Sequence, residues 1–219
     1  MGYTLNFAVV WADFHNLLWG LGLGLVLAVF AVAIGSGIGL IAAFASVGPS
    51  RAGRIIVRLY VSIMRNLPIL VIVLVAYFGL PQIGIRLNKF ESFVGSLALY
   101  SGAYLAEVFR AGLMGVPRGV VEAARAIGLT RLQTSLSVVV PIMLRNVLPA
   151  LGSTFIGLFK DTSLAAAIAV PELTYQARKI NVESFRVVET WTVTSALYVG
   201  TCLIIAAALR RLERRYPKF

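Results

Sequence analysis

The sequence predicts an all-α membrane protein of five transmembrane helices, with a cytoplasmic helix and a short re-entrant helix between them. Three observations carry that expectation. Hydrophobic residues make up 59% of the 219-residue chain, charged residues only 13%, and the mean hydropathy is +0.87. Soluble domains carry about 25% charged residues, so this composition suits lipid rather than water. Five apolar stretches reach about the 20 residues that a membrane-crossing helix needs. The basic residues, finally, cluster in the short segments between those stretches, which is the positive-inside pattern. That clustering explains the net charge of +11 and argues against nucleic acid as a partner.

The first span is expected over about residues 17–47, because Phe14 to Ser50 contains no Asp, Glu, Lys or Arg. No positively charged segment precedes it, and it is too long for a signal-peptide core, so it reads as a retained helix. Gly20-x-x-x-Gly24 and Gly35-x-x-x-Gly39 permit close approach of neighbouring helices. The second span, about 55–80, bends at Pro68, where a backbone donor is lost. The third covers about 93–114 and the fourth about 132–159, with Pro141 and Pro149 read as static kinks. The fifth covers about 190–209. Thr162–Val170 is apolar but too short to span, and Pro171 closes it; it reads as the re-entrant helix.

Charge sets the orientation. Arg51, Arg54, Arg58, Arg118, Arg125, Arg131, Arg210, Arg211, Arg214, Arg215 and Lys218 fall on one side of a five-span arrangement. Arg86, Lys89, Arg178, Lys179 and Arg186 fall on the other, so the N-terminus is expected outside and the C-terminus in the cytoplasm. No internal repeat is evident, whereas secondary carriers typically duplicate a unit around a midplane site. The chain therefore reads as half of a pathway, completed by a second copy or a paralogue.

The chemistry-bearing residues are few. Cys202 and His15 each stand alone, so neither a disulfide, a metal site nor a catalytic constellation is expected. Within the spans, charged residues cost several kcal/mol each and tend to pair or to line a cavity, about 2.5–3.5 kcal/mol on insertion scales. Glu107 and Arg110, three apart on one helix face, read as a structural ion pair. Lys160, Asp161, Thr162 and Ser163 sit where the fourth span breaks, and broken helices border protein or water-filled cavities. They are the candidate translocation-pathway residues, joined by Arg65 near the Pro68 bend. Arg145 either adds positive potential or snorkels to the interface.

The polar island between the third and fourth spans covers about 115–131. Gly119 to Ile127 has helix-forming character, and Gly128 suits a helix C-terminus because glycine accepts the left-handed conformation. Leu129 onward resumes as helix and enters the bilayer at Pro141. Ala123 and Ala124 allow a partner surface to approach closely, and Glu122 offers a charge.

Glu122-Ala123-Ala124, three residues, Gly128 and then Pro141 resemble the signature of permease subunits of ABC importers, with Val138 and Val140 standing for its Ile and Leu. Lys160-Asp161-Thr162-Ser163-Leu164 is similar to a segment of the polar amino acid branch, the histidine/glutamine/glutamate-type permeases. Arg65-Asn66-Leu67-Pro68-Ile69-Leu70 resembles that branch's Arg-Gly-Thr-Pro-Leu-Leu segment, departing at Asn66 and Leu67. Tyr104 to Gly112 resembles the stretch before the polar loop. The resemblance covers about residues 20–210 and implies one permease domain over 1–219 in a bacterial inner membrane. It makes the polar island a coupling helix, with Glu122, Ala123, Ala124 and Gly128 docked on an ATPase subunit. It further implies two ABC ATPase subunits, an extracytoplasmic substrate-binding protein and a dimeric permease. ATP and Mg would be bound by the ATPases, since this chain lacks a Gly-x-x-x-x-Gly-Lys-Ser/Thr loop and is not itself an enzyme. The cargo is expected to be a polar amino acid, leaning to glutamate, aspartate or glutamine. Another small solute and a stand-alone carrier are the alternatives.

Overall fold

The computed structural model describes residues Tyr3–Arg215; Lys218, counted above with the basic tail, lies outside them. The described residues form helices and turns, with no strand among them. In chain order the α-helices are α1 (Ala8–Ala12), α2 (Phe14–Val47), α3 (Arg51–Asn66), α4 (Ile69–Leu74) and α5 (Lys89–Met114). They continue as α6 (Arg118–Ala126), α7 (Arg131–Thr134), α8 (Val140–Asp161), α9 (Leu173–Ser184) and α10 (Val187–Arg215).

Three helical stretches are long and apolar enough to cross a membrane: Phe14–Val47, Arg131–Ile168 and Val187–Arg215. Arg51–Asn66 with Ile69–Ile83 makes a fourth if the broken pair counts as one span. Pro68 caps α4 in an extended conformation, φ −60° and ψ 130°, so the helix breaks between Asn66 and Ile69, at the proline where the sequence places the bend. α5 has the length of a span, about 39 Å at 1.5 Å per residue. Glu107 and Arg110 well inside the helix, with Ser92, Ser96 and Ser101 along it, lower its hydropathy below that of the other three.

The fourth span departs from expectation in its winding. Pro141 and Pro149 do not interrupt it: helix runs from Arg131 to Asp161, passing through a π turn over Ser135–Val139. A proline ring clashes with the carbonyl four residues back, and a wider π turn relieves that contact. A second π turn, Val75–Gly79, precedes Pro81 by the same interval. The expected re-entrant segment is a 3₁₀ helix, Thr162–Ile168, wound directly onto α8.

The chain forms two compact units. The first comprises the described residues up to Ala33, with Leu67–Ala98 and Phe155–Ile205. Val10, Leu17, Leu173, Ala177, Ile180 and Val193 form its buried apolar cluster. α2 lies against the start of α9 at Gly20, where a Cβ would fall 2.8 Å from the Glu172 carbonyl carbon. Gly24 similarly faces Thr162, so the Gly20/Gly24 pair serves packing, as the spacing predicts. Glu172 caps α9: its carboxylate accepts from the Thr174 and Tyr175 amides, at 2.9 and 2.8 Å, and from the Tyr198 hydroxyl at 3.1 Å. Burial pushes its carboxyl up to about 7, against the opposing effect of those hydrogen bonds. The N-terminal segment is tied to α10 by the buried Glu189, which accepts from the Tyr3 hydroxyl and the Asn6 amide.

The second unit comprises Ile34–Asn66, Leu99–Thr154 and Ala206–Phe219. Ala42, Val61, Ala103 and Ala106 are its buried cluster, flanked by Val57, Tyr60 and Met64. Small residues again set the spacing: a Cβ on Gly39 would lie 2.8 Å from Leu105 Cβ. Tyr60 crosses from α3 to donate a hydrogen bond to the Leu99 carbonyl at 2.6 Å.

Candidate functional site

The polar loop is built by its caps. Pro117 starts α6, and α6 ends in a Schellman motif around Gly128, whose φ of +91° favours glycine. The Leu129 amide reaches the Ala124 carbonyl at 3.2 Å and the Gly128 amide reaches the Arg125 carbonyl at 3.0 Å. Thr130 and Gln133 form a capping box that restarts the helix at α7. The result is helix, glycine turn, helix. Ala124 is buried, while Glu122, Ala123 and Gly128 face outward. Ile127 beside them is 80% exposed, an apolar side chain with nothing to cover it among the described residues.

The same unit holds a cavity of about 400 Å³ lined by Ser46, Arg54, Val57, Arg58, Val61, Ser62, Arg65, Glu107 and Arg110. A second cavity, about 330 Å³, shares Val61, Ser62 and Arg65 and adds Asn66 and Tyr104. Arg65 stands at both, its guanidinium 5.1 Å above the centre of the Tyr104 ring. Glu107 and Arg110 are in ion-pair contact at 2.6 Å on one wall. Arg110 also contacts Met114 Sδ at 3.1 Å.

Lys160, Asp161, Thr162 and Ser163 belong to the other unit. There Lys160 is exposed, Asp161 and Ser163 are half-buried, and Thr162 is buried. The Thr162 hydroxyl donates to the Phe159 carbonyl at 2.7 Å, so it is engaged by its own helix. Arg54 and Arg58 line the larger cavity, whereas the sequence reading took them only as markers of orientation. Their spacing with Arg51 and Arg65 on one face of α3 was the available signal.

Residues 35–218 match the family described as "Binding-protein-dependent transport system inner membrane component". The chain belongs to this family. It is 35% identical over 212 residues to the "Glutamine transport system permease protein GlnP" of Escherichia coli (strain K12), covering 96% of this chain and 97% of that protein. It is 33% identical over 217 residues to the "Probable amino-acid ABC transporter permease protein YckA" of Bacillus subtilis (strain 168), covering 99% and 96%. Its fold matches a chain of the "Crystal structure of an amino acid ABC transporter with histidines" with a TM-score of 0.89 at 33% identity, covering 97% of this chain and 100% of that one. The permease is thus an inner membrane component of a binding-protein-dependent transport system, and the resemblance read from Glu122–Pro141 pointed to the right family.

Proposed function

We propose that this permease is the membrane subunit of an ATP-driven importer that moves a polar amino acid, of the glutamine or glutamate kind, into the cytoplasm. The observation that carries the reading is α6, an exposed helix locked at Gly128 and presenting Glu122 and Ala123 outward. A pre-formed, solvent-facing helix with an uncovered Ile127 is the surface a motor subunit would grip. Glutamine and amino-acid permeases at 33–35% identity supply the cargo class.

In this reading two ABC ATPases dock on α6 of two permease copies, or of one copy and a paralogue. An extracytoplasmic binding protein delivers the solute, and ATP-driven closure of the ATPases alternates access. Arg65 and Lys160–Ser163 border the pathway, and Glu107–Arg110 is structural. The permease lies in a bacterial inner membrane with its N-terminus outside.

The test is reconstitution of the permease with its ATPase and binding protein in proteoliposomes. ATP-dependent uptake of L-glutamine or L-glutamate is expected, with none in the absence of ATP or binding protein. Uptake by the permease alone would overturn the reading.

A further inference from the structure

The cavity beside α3 is lined by four guanidiniums and one carboxylate, and the two kinds of charge do not cancel. Two of the arginines are engaged. Arg54 donates to the Gly48 and Pro49 carbonyls at 2.8 and 3.0 Å, and Arg110 is held by Glu107. Arg58 has no hydrogen-bonding or ionic partner among the described residues. Arg65 makes no hydrogen bond or salt bridge among the described residues, and its guanidinium carbon lies 5.1 Å from the centre of the Tyr104 ring, a cation–π contact that uses none of its N–H donors. Arg58 and Arg65 are seven residues apart, about two helical turns, and so lie on one face.

We propose that Arg58 and Arg65 form an oxyanion site that takes the carboxylate of a small solute. A guanidinium fork matches a carboxylate in geometry and charge, and the cation–π contact with Tyr104 holds one of the two guanidiniums beside the cavity. The volume, about 400 Å³, is that of a small-molecule pocket. A lipid phosphate shares the oxyanion chemistry, but the lining does not suit acyl chains. Only two of the nine lining residues, Val57 and Val61, carry apolar side chains, and Ser46 and Ser62 stand beside the charged ones. The apolar stripe of α3, Ile55, Ile56, Leu59 and Ile63, is exposed on its opposite face. The surplus positive charge favours acidic and zwitterionic solutes and repels cationic ones. The proposal rests on the importer reading for its biological setting. Its test is direct binding, so it can fail while ATP-driven uptake holds, and the reverse.

The experiment is calorimetric titration of the full-length permease, in nanodiscs of zwitterionic lipid, with L-glutamate, L-glutamine and L-lysine. A parallel set contains phosphatidylglycerol, and inorganic phosphate serves as a plain oxyanion. L-Glutamate is expected to bind, L-lysine at least about tenfold more weakly, and rising salt to weaken both. An Arg58→Gln/Arg65→Gln variant should weaken glutamate binding by about tenfold, the loss of a charge-assisted hydrogen bond or two. Arg58→Lys/Arg65→Lys should recover part of the affinity by restoring charge without the fork, which a merely misfolded variant would not do. Arg178→Gln, in the other unit, should change nothing. The proposal is overturned if no carboxylate binds, if lysine binds as well as glutamate, or if the double Gln variant binds glutamate like the parent. It is overturned too if phosphatidylglycerol, retained in native mass spectra, is the one anion lost in that variant.

Discussion

Two glycine-to-alanine substitutions, nine residues apart in the polar loop, should act with opposite sign. At both Gly119 and Gly128 an added Cβ meets nothing within 4 Å, so neither change is decided by crowding. Gly128 has φ +91°, where an L-residue costs about 1–2 kcal/mol. Gly119 lies inside α6 without a positive φ, where alanine gains about 0.5–1 kcal/mol over glycine. Alanine at 128 also restricts the unfolded chain, which returns about 0.4–1 kcal/mol. The net loss is about 1 kcal/mol, or about fivefold in the population of the closed cap. Hydrogen exchange on the purified permease reads this directly at the Ile127, Gly128 and Leu129 amides, each of which donates into α6. Gly128→Ala should accelerate their exchange about fivefold, and Gly119→Ala should slow it. Gly128→Asn should fall between Gly128→Ala and the parent, since asparagine tolerates the left-handed region. In the reconstituted importer, Gly128→Ala should raise the ATP hydrolysed per solute moved. If the amides of Gly128→Ala exchange no faster than those of the parent, the cap argument is wrong.

Gly20→Ala should lower the melting temperature of the permease, because its Cβ would sit 2.8–2.9 Å from the Glu172–Leu173 backbone; overpacking of this kind costs about 1–3 kcal/mol. Gly22→Ala, facing open space inside α2, is the uncrowded control and should gain about 0.5–1 kcal/mol, the advantage of alanine over glycine in a helix. Glu172 predicts a pH dependence: its folded pKa of about 7 is above the ordinary 4.5, so its contribution to stability is full below pH 4.5 and lost as pH rises through 7. Thermal melts across that window should fall with pH, and Glu172→Gln should flatten the slope. Glu122→Arg, a reversal on the exposed face of α6, should leave the melting temperature unchanged while weakening ATPase binding measured by co-purification; undiminished binding would remove Glu122 from the docking surface.

The long spans were legible because charge is expensive in lipid. The absence of charged residues from Phe14 to Ser50 outlines α2 to within a few residues. The α6–Gly128 turn was legible because local rules suffice there: a glycine between two helical patterns. Other features left no such trace. The two π turns are matters of hydrogen-bond register, which hydropathy does not report. The tie between Asn6 and Glu189 links residues 183 apart, and only folding brings them together. In the arginine cavity the periodicity was visible, but the positive-inside rule already explained those charges and hid their second meaning.

The paired π turns carry one further consequence. Each holds one residue more than an α turn would need, and each is followed at the same interval by a proline, Pro81 or Pro141. A helix advances about 100° per residue, so the surplus residue works as a phase wedge. Around Ser135–Val139 it sets which way α7, and the loop before it, points around the axis of α8. Removing one residue from Ser135–Val139 would swing that loop by about a quarter turn without altering a single side chain of α6.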